Sequence, residues 1–361
     1  MKIRAIALSM AVLASPGLVP EAGAATLDAW GAAALEQSPG WYSSDEAREV
    51  ADKVLAYQSD IGAWPKNTDF LAPATPEMIR AVGESSSANT IDNDATTRPL
   101  RFLALVASAT DEEKYQRAFL RGLDYLLEAQ YENGGWPQFY PLRSGYYSRI
   151  TYNDNAMMNV MFLLRGIAFG AEPYAFVDDA HRAESRHAVE RGIDCILKTQ
   201  LRQQGELTAW AAQYDEVTLE PAWARAYEPP SLSGNESVAI VRFLMELETP
   251  TAEHTAAIEG AVRWLRAVAI EGKRYIRGPN ADGLDDAVMI DDPGAGPIWA
   301  RFYEIGSDRP IFLGRDSVVR YSLAEIETER RGGYAYYGTW PAALLDEDYP
   351  RWLTRNRAGR Y

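Results

Sequence analysis

Apolar residues recur at helical spacing along most of the chain. Seven segments place them at i, i+3, i+4 and i+7, which is the pattern of a helix with one buried face. These segments are 45–57, 100–109, 111–129, 156–167, 182–199, 236–247 and 251–269. The alternation that is typical of strands is confined to 273–292 and 333–337. The pattern therefore predicts a mainly α protein with a few short strands.

The predicted helices carry a weak internal repeat. Three of them end in glutamine, at Gln58, Gln130 and Gln200, and these residues lie 72 and 70 positions apart. Each glutamine is followed by a loop tryptophan and then by a polar cluster that precedes a further helix. The tryptophans are Trp64, Trp136 and Trp210, and the clusters are 92–94, 153–155 and 233–235. One helix pair cannot bury its own apolar face, so we expect three pairs to stack in an (α/α)3 toroid, with an irregular helical array as the alternative.

The polar clusters have two interpretations. In such a toroid the inner helices would all start at one end, so the clusters would converge on one mouth. Asp, Asn and Ser directly before an apolar-periodic segment are typical helix N-caps. Carboxylate and amide oxygens are also the ligands that Ca²⁺ prefers, and two clusters could share one ion. Taken by themselves, 92–94 and 153–155 favour plain capping over a metal site.

The chain after Asp292 changes in composition. It contains no lysine but many arginines, and it is rich in Tyr, Trp and Gly. We expect a loop-rich surface beside the toroid here, with no further core. Arg301 and Arg315 stand in this part of the sequence, and Arg225 stands earlier in 224–228, also near an aromatic residue. An arginine can bind a carboxylate through two parallel hydrogen bonds. These arginines therefore indicate either a groove for an anionic ligand or ion pairs with the protein's own acids, and the pattern alone favours ion pairs.

Two aromatic loops add a further candidate surface. They are 134–141, which contains Trp136, and 337–341, which contains Trp340. Exposed aromatic rings stack on sugar faces, whereas buried ones would plug the toroid. We assign the second loop to the structural role and keep both interpretations for the first.

The composition excludes several functional classes. The 361 residues are 47% hydrophobic and 24% charged, as in an ordinary globular protein. A net charge of -15 leaves no basic footprint for nucleic acid. The single cysteine, Cys195, excludes an intramolecular disulfide framework, and the three histidines lack metal-ligand spacing. No serine–histidine–acid arrangement or phosphate-binding glycine motif is present, but a carboxylate pair for glycoside hydrolysis stays open.

The N-terminal pattern predicts export. Lys2 and Arg4 precede a short apolar run over 5–13, and 22–24 fits the small-x-small cleavage rule. We therefore predict a signal peptide over 1–24 and a single toroid domain over 25–361, with the protein secreted or periplasmic. A buried N-terminal helix is the alternative. The apolar run is too short to span a bilayer, so we expect no membrane partner.

Several longer motifs, in the same order, resemble the pectate lyases of polysaccharide lyase family 10. The motifs are 90–97, 134–141, 150–157, 217–221, 225–228 with 230–234, 297–305 with 309–310, and 333–340. The resemblance extends over roughly residues 45–345. It implies the (α/α)3 toroid, in agreement with the repeat.

The resemblance also implies a reaction and a metal. The expected activity is calcium-dependent anti β-elimination of polygalacturonate, which gives 4,5-unsaturated oligogalacturonides. Position by position, Asp92, Asn93 and Asp154 would hold Ca²⁺ at the sugar carboxylate. Arg225 would be the catalytic base that removes the C5 proton. Because arginine normally stays protonated, with a pKa above about 12, this role implies a positive field and an alkaline pH optimum.

The remaining predicted site residues would bind the substrate. Arg301 and Arg315 would contact uronate carboxylates, and Trp136 and Tyr227 are the aromatic candidates. We expect polygalacturonate as the partner of a monomeric enzyme, with no nucleic acid. A uronan hydrolase on the same toroid and a non-catalytic pectate-binding protein are the alternative functions.

Overall fold

Two layers of helices surround the main core. The computed structural model describes residues 27–358, so the predicted signal peptide over 1–24 lies outside the described residues. The described helices are α1 (Asp45–Ala56), α2 (Pro76–Gly83), α3 (Thr97–Thr110), α4 (Glu113–Glu128), α5 (Ala156–Phe169), α6 (Asp179–Thr199), α7 (Glu236–Met245), α8 (Ala252–Ala267), α9 (Thr328–Gly333) and α10 (Tyr349–Ala358). None of them is long and apolar enough to cross a membrane.

The inner layer consists of α3, α5 and α7, and the outer layer of α1, α4, α6 and α8. Each inner helix packs against the outer helix that follows it in sequence, and α5 packs against both other inner helices. Consecutive outer helices also touch, α1 with α4, α4 with α6, and α6 with α8. This arrangement confirms the helical toroid that the repeat predicts.

The strands are short and form six two-stranded ladders within residues 27–358. They are β1 (Ile150–Thr151), β2 (Arg202–Gln203), β3 (Glu206–Leu207), β4 (Gln213–Tyr214), β5 (Leu232–Ser233), β6 (Lys273–Pro279), β7 (Asp285–Asp291), β8 (Trp299–Ala300), β9 (Phe302–Tyr303), β10 (Phe312–Leu313), β11 (Val319–Arg320) and β12 (Tyr337–Gly338). The antiparallel pairs are β1–β4, β2–β3, β5–β9, β6–β7, β8–β12 and β10–β11. The predicted strand region 273–292 is the β6–β7 hairpin, but 333–337 contributes only Tyr337 to a strand.

The repeated glutamines join consecutive outer helices. Gln58 Nε2 donates to the carbonyl of Gly62 in its own loop (2.9 Å) and to that of Ala118 in α4 (2.8 Å). Gln130 makes the same pair of bonds to its own loop and to α6, and Gln200 makes them to its own loop and to α8. Because these amides satisfy two carbonyls each, they fasten the outer layer from one repeat to the next.

The repeated tryptophans point inward and close each loop. The indole N–H groups of Trp64, Trp136 and Trp210 each donate, at 2.7 Å, to a carbonyl near the end of the outer helix before them. Trp299 makes the same bond to Leu265 in α8, so the structure contains a fourth copy that the sequence analysis missed. This copy is hard to recognise in the sequence because the β6–β7 hairpin lies between its acceptor and its donor. The two are 34 residues apart here, against 10 or 14 residues in the other copies.

The fourth copy lacks the glutamine. Ala269 stands four residues after the Trp299 acceptor, where the other copies have glutamine. No further helix follows α8 in the chain before the β6–β7 hairpin. The chain instead continues into the hairpin and the arginine-rich loops.

The arginine-rich part of the chain is not only surface, and the expectation that it adds no core is wrong. It builds a second cluster of buried side chains beside the helical core, which includes Tyr227, Phe302, Phe312, Tyr334 and Tyr336. Apolar contact among these aromatic rings holds the loops in place. The same rings surround the arginines of the site described below.

His181, near the start of α6, lies between two carboxylates. Its Nδ1 is 2.6 Å from Asp178 and its Nε2 is 3.1 Å from Asp124 in α4. Burial of the ring would lower the pKa of His181, but the two carboxylates outweigh this effect and the pKa is raised. The charged ring therefore stabilises the folded protein fully below the unfolded pKa of about 6.5. That contribution is lost as the pH rises through the raised folded value.

We expect His181→Gln to lower the free energy of unfolding by about 1 kcal/mol near pH 5.5, and by less near pH 9. Urea unfolding at both pH values measures the difference. His187→Gln is the control, because the more exposed His187 contacts only Glu190 on its own helix. An equal loss at both pH values would contradict the role given to the charged imidazole.

Candidate active site

Two polar turns meet at one mouth of the toroid. Asp92–Asp94 precedes α3 and Asn153–Asn155 precedes α5, and the two turns contact each other. A cleft of about 520 Å³ opens beside them, and its lining includes Asn93, Asp94 and Asp154. The structure therefore brings together the two clusters that lie about 60 residues apart in sequence, as the toroid geometry predicts.

Both turns have the same backbone. Asn93 and Asp94 have φ values of 52° and 58°, and Asp154 and Asn155 have values of 51° and 61°. Left-handed backbone is unfavourable for most residues, and Asn and Asp tolerate it best. Four such residues in two matching turns are a local strain of the kind that clusters at functional sites.

The prediction that the first two clusters cap the inner helices is wrong. The side chains of Asp94 and Asn155 accept no hydrogen bond from a helix N–H group at the start of α3 or α5. Asp94 instead binds Arg98 (2.8 Å) and the Thr97 hydroxyl (2.8 Å). The third cluster does cap its helix, since the Ser233 hydroxyl accepts from two backbone N–H groups at the start of α7.

Asp92 is not among the residues that line the cleft. Its carboxylate is buried, and Oδ2 is 2.7 Å from the ammonium nitrogen of Lys66. Asn93, by contrast, lines the cleft, where its amide donates to Asn67 Oδ1 at 3.1 Å. Asp94, which the sequence analysis did not select, lines the cleft as well. Of the three predicted metal ligands, Asn93 and Asp154 therefore line the cleft, while Asp92 does not.

Asp154 is held by a buried arginine. Its Oδ1 accepts from Arg301 Nη2 at 2.8 Å, and its Oδ2 accepts from the amide of Asn153 at 2.9 Å. The guanidinium of Arg301 also pairs with Glu236, whose side chain is fully buried at the start of α7. Burial would lower the pKa of Arg301, but Glu236 and Asp154 hold it well above its usual value.

Arg301 therefore acts as a bridge in this structure. Only 5% of the residue is exposed, and its Nη2 donates to both Asp154 and Glu236. Such a guanidinium fixes the direction of the Asp154 carboxylate at the cleft. Its binding of a uronate carboxylate stays a prediction.

Arg225, which is half-buried, forms a second ion pair with a buried carboxylate. Its Nε donates to Glu228 Oε2 at 2.8 Å, and its Nη2 donates to Oε1 of the same carboxylate. Glu228 is only 4% exposed, and its Oε1 also accepts from the Tyr334 hydroxyl at 2.9 Å. The carboxylate raises the pKa of Arg225 despite the opposing effect of burial. In this state Arg225 is a firmly protonated cation.

Tyr227 is buried between two arginines. The ring centre is 5.0 Å from Arg225 Cζ and 4.5 Å from Arg330 Cζ. Arg330 and the exposed Arg315 share the carboxylate of Glu329. The predicted Arg225, Tyr227 and Arg315 are thus joined by Arg330, which the sequence analysis did not select, although it stands within the motif-rich C-terminal region. Direct contact of Tyr227 and Arg315 with a substrate stays a prediction.

The prediction that Trp136 binds substrate is wrong. The residue has no exposed surface, and its indole N–H is used by the Leu126 carbonyl. A sugar cannot stack on a ring that is enclosed by the helical core. The repeat itself contained the signal, because Trp136 occupies the same place as Trp64 and Trp210.

A chain of contacts connects the two ion pairs. The Tyr334 hydroxyl binds Glu228, and Arg301 Cζ lies 4.9 Å from the centre of the Tyr334 ring. Contacts between side chains therefore link the cleft to the predicted base, in the order Asp154, Arg301, Tyr334, Glu228 and Arg225. Carboxylates at a polar cleft can hold a cation, and arginines beside them can bind an acidic sugar and exchange a proton with it.

Comparisons with known proteins agree with this arrangement. A family model for pectic acid lyases matches residues 58–345. The family 10 polysaccharide lyase from Cellvibrio cellulosa is 33% identical, with 86% of this chain and 94% of that chain covered and a TM-score of 0.74. An aspartate-to-alanine mutant of the Cellvibrio cellulosa lyase, in complex with trigalacturonic acid, is 32% identical over 86% of this chain and 95% of that chain, with a TM-score of 0.75. A search of curated proteins gives no match.

Proposed function

Because the chain belongs to the pectic acid lyase family and is a polysaccharide lyase, we propose that it cleaves (1→4)-α-D-galacturonan by calcium-dependent anti β-elimination. The products are 4,5-unsaturated oligogalacturonides. The observation that carries the proposal is the contact chain from Asp154 through Arg301, Tyr334 and Glu228 to Arg225. It links the predicted metal ligand to the predicted base through four contacts, which supports their assignment to one site. The trigalacturonic acid in the complex of the Cellvibrio lyase mutant supports an oligogalacturonate substrate here.

The donor set at the cleft suits Ca²⁺ as an open site. Asn93, Asp94 and Asp154 offer amide and carboxylate oxygens, which are the ligands of a hard cation. The described residues contain no group of three or more His, Cys, Asp or Glu side chains that could hold a metal. Water and a sugar carboxylate would therefore complete the coordination shell. When bound, Ca²⁺ supplies the positive charge that neutralises the uronate next to C5.

Asp92 fits this site less well than its neighbours. Its carboxylate is buried and is not among the groups that line the cleft. Each of the three aspartates is paired with a cation, Asp92 with Lys66, Asp94 with Arg98 and Asp154 with Arg301, so a metal would share any of these carboxylates. Its assignment as a metal ligand stays a prediction, and Asp94 is the additional candidate.

Arg225 carries the proton transfer in this proposal. The C5–H bond breaks, the proton goes to the guanidine, and the electron pair forms the C4=C5 double bond as the glycosidic oxygen leaves C4. The C5 proton is barely acidic because its removal builds a second negative charge beside the carboxylate. Arg301 would stabilise that charge as it develops, and a cation held at Asn93, Asp94 and Asp154 would add its positive charge. An alkaline optimum follows, since Arg225 must lose its own proton first.

A direct assay tests the proposal. Purified protein is incubated with polygalacturonate, and the ultraviolet absorbance of the C4=C5 double bond is followed with and without EDTA. We expect absorbance that rises in the presence of Ca²⁺ and stops with the chelator. New reducing ends without absorbance indicate the hydrolase, and retention of polygalacturonate with neither signal indicates a binding protein; both results would contradict the proposal.

We expect Asp154→Ala to lower kcat by about 10²-fold at fixed Ca²⁺, or to raise the Ca²⁺ concentration needed for half-maximal rate by a similar factor. The carboxylate is the predicted ligand that Arg301 aims at the cleft. Calcium titrations of the rate measure both effects. Asp60→Ala, an exposed aspartate in a loop, is the control. An unchanged calcium dependence in the Asp154 variant removes this residue from the metal site.

We also propose that the protein is exported, on the strength of the residue pattern over 1–24. N-terminal sequencing of protein secreted by the natural host tests the cleavage near Ala24.

A further inference from the structure

Glu228 makes more contacts to Arg225 than a simple ion pair needs. Its Oε2 accepts from Arg225 Nε at 2.8 Å and from the Arg225 backbone N–H at 3.1 Å, while Oε1 accepts from Nη2. The carboxylate thus binds the backbone and the side chain of one residue at the same time. This fixes both the start and the end of the Arg225 side chain, so its rotamers are restricted.

Glu228 is itself held in place. It is 4% exposed, and the buried Tyr334 hydroxyl donates to Oε1 at 2.9 Å. Its backbone N–H donates to the Arg225 carbonyl at 2.8 Å, which closes the turn between the two residues. Movement of this carboxylate would leave the buried Tyr334 hydroxyl without its acceptor, which costs free energy.

Part of the guanidinium remains available. The Arg225 side chain is 39% exposed, and its Nη1 makes no hydrogen bond to any residue within 27–358. Nε and Nη2 are both used by Glu228. Among the described residues Nη1 has no acceptor, so it is the nitrogen that remains available for a ligand.

We propose that Glu228 is a positioning residue that presents Arg225 Nη1 to the C5 proton and sets the pH range in which Arg225 can accept it. The proposal rests on the proposed function, because it assumes that Arg225 is the base. It assigns Glu228 no contact with the substrate. Glu228 acts through Arg225 alone.

Apart from Glu228, the groups described next to Arg225 carry no negative charge that would balance its guanidinium. The rings of Tyr227 and Tyr334 lie 5.0 and 5.8 Å from Arg225 Cζ, and Tyr146 is a further neighbour. Burial raises the pKa of Tyr334 and of Tyr146, so both phenols stay neutral at working pH. Within the described residues, Glu228 forms the one ion pair of Arg225. Its charge stabilises the guanidinium and so delays deprotonation to higher pH.

The test is the pH profile of Glu228→Gln. Glutamine keeps the size of the side chain but removes the charge. We expect the rising limb of kcat/KM against pH to move to lower pH by about one unit or more, because the guanidinium loses its partner. The maximum kcat falls about 10-fold since the orientation is looser, while KM changes little. Glu228→Asp restores the charge, and the limb returns towards that of the wild type.

Glu206→Gln is the matched control. Glu206 forms an exposed ion pair with Arg263 at 3.0 Å, so this substitution removes the same charge from an arginine pair elsewhere. Its rising limb should coincide with that of the wild type. A limb that stays in place in Glu228→Gln, whatever happens to kcat, overturns the proposal and leaves Glu228 as a structural residue.

Failure of the proposed function can be told apart from failure of the role given to Glu228. Wild-type protein that forms no unsaturated product contradicts the proposed function itself, before any variant is compared.

A second variant, Tyr334→Phe, is used if Glu228→Gln does not fold. It removes one hydrogen-bond donor from Glu228 and leaves the carboxylate more basic. We then expect the limb to move a few tenths of a unit to higher pH. An unmoved limb in this folded variant overturns the role given to Glu228.

Discussion

Arg225→Ala is expected to lower kcat on polygalacturonate by about 10³-fold while KM changes by no more than a few-fold. The variant removes the group that we propose as the acceptor of the C5 proton, but it leaves the cleft and Asp154 in place. Stopped assays of double-bond absorbance at alkaline pH measure the rate. Binding of trigalacturonate by calorimetry separates lost chemistry from lost affinity.

The same substitution leaves Glu228 buried without its partner. We therefore expect a loss of about 1–3 kcal/mol in the free energy of unfolding, and activity must be compared at a temperature where circular dichroism shows the variant folded. Arg225→Lys keeps the positive charge without the two-pronged geometry and should be almost as inactive. Arg263→Ala, at an exposed ion pair, is the control. A rate near that of the wild type in Arg225→Ala would show that another group is the base.

Trp136→Ala is expected to lower the free energy of unfolding by about 3–5 kcal/mol. The indole is fully enclosed, and its N–H is the donor to the Leu126 carbonyl, so alanine leaves both a cavity and an unpaired carbonyl. Urea or thermal unfolding measures the loss. Trp136→Phe should lie between the wild type and alanine, since it retains most of the ring volume.

The matched control for this substitution is Trp223→Ala. Trp223 is 45% exposed, so its removal should change stability by only about 0.5 kcal/mol. Were Trp136→Ala as stable as the wild type but weaker in substrate binding, the buried placement of Trp136 would be contradicted and the original substrate-binding prediction restored.

The repeat was the part of the fold most accessible from sequence. Glutamine and tryptophan recur at nearly constant spacing, and the structure gives each copy the same hydrogen bonds. The fourth copy was not predicted, because the β6–β7 hairpin lengthens the interval between the end of α8 and Trp299. An insertion of this kind changes no contact within the repeat, but it removes the regular interval on which recognition depends.

The site was only partly accessible. The sequence motifs identified the right segments, 92–94, 153–155 and 225–228. They did not show which side chains in those segments line the cleft. Asp92 and Asp94 are two residues apart with the same chemistry, and each pairs with a cation, but Asp94 lines the cleft and Asp92 does not. Glu228 stood three residues after Arg225 in a quoted motif, and nothing in the spacing distinguished it from other acids.

The sequence by itself determined the local elements of this protein: where helices form, where the loops fall, and that the units repeat. Hydrophobic periodicity is a property of neighbouring residues, so it can be read without knowing the fold. The tertiary structure alone decided that Arg301 meets Asp154 and Glu236, which lie 147 and 65 residues away, and that Trp136 points into the core. Such pairings depend on how the helices pack, because a charge or a ring is assigned its partner only when distant segments are brought within a few ångströms.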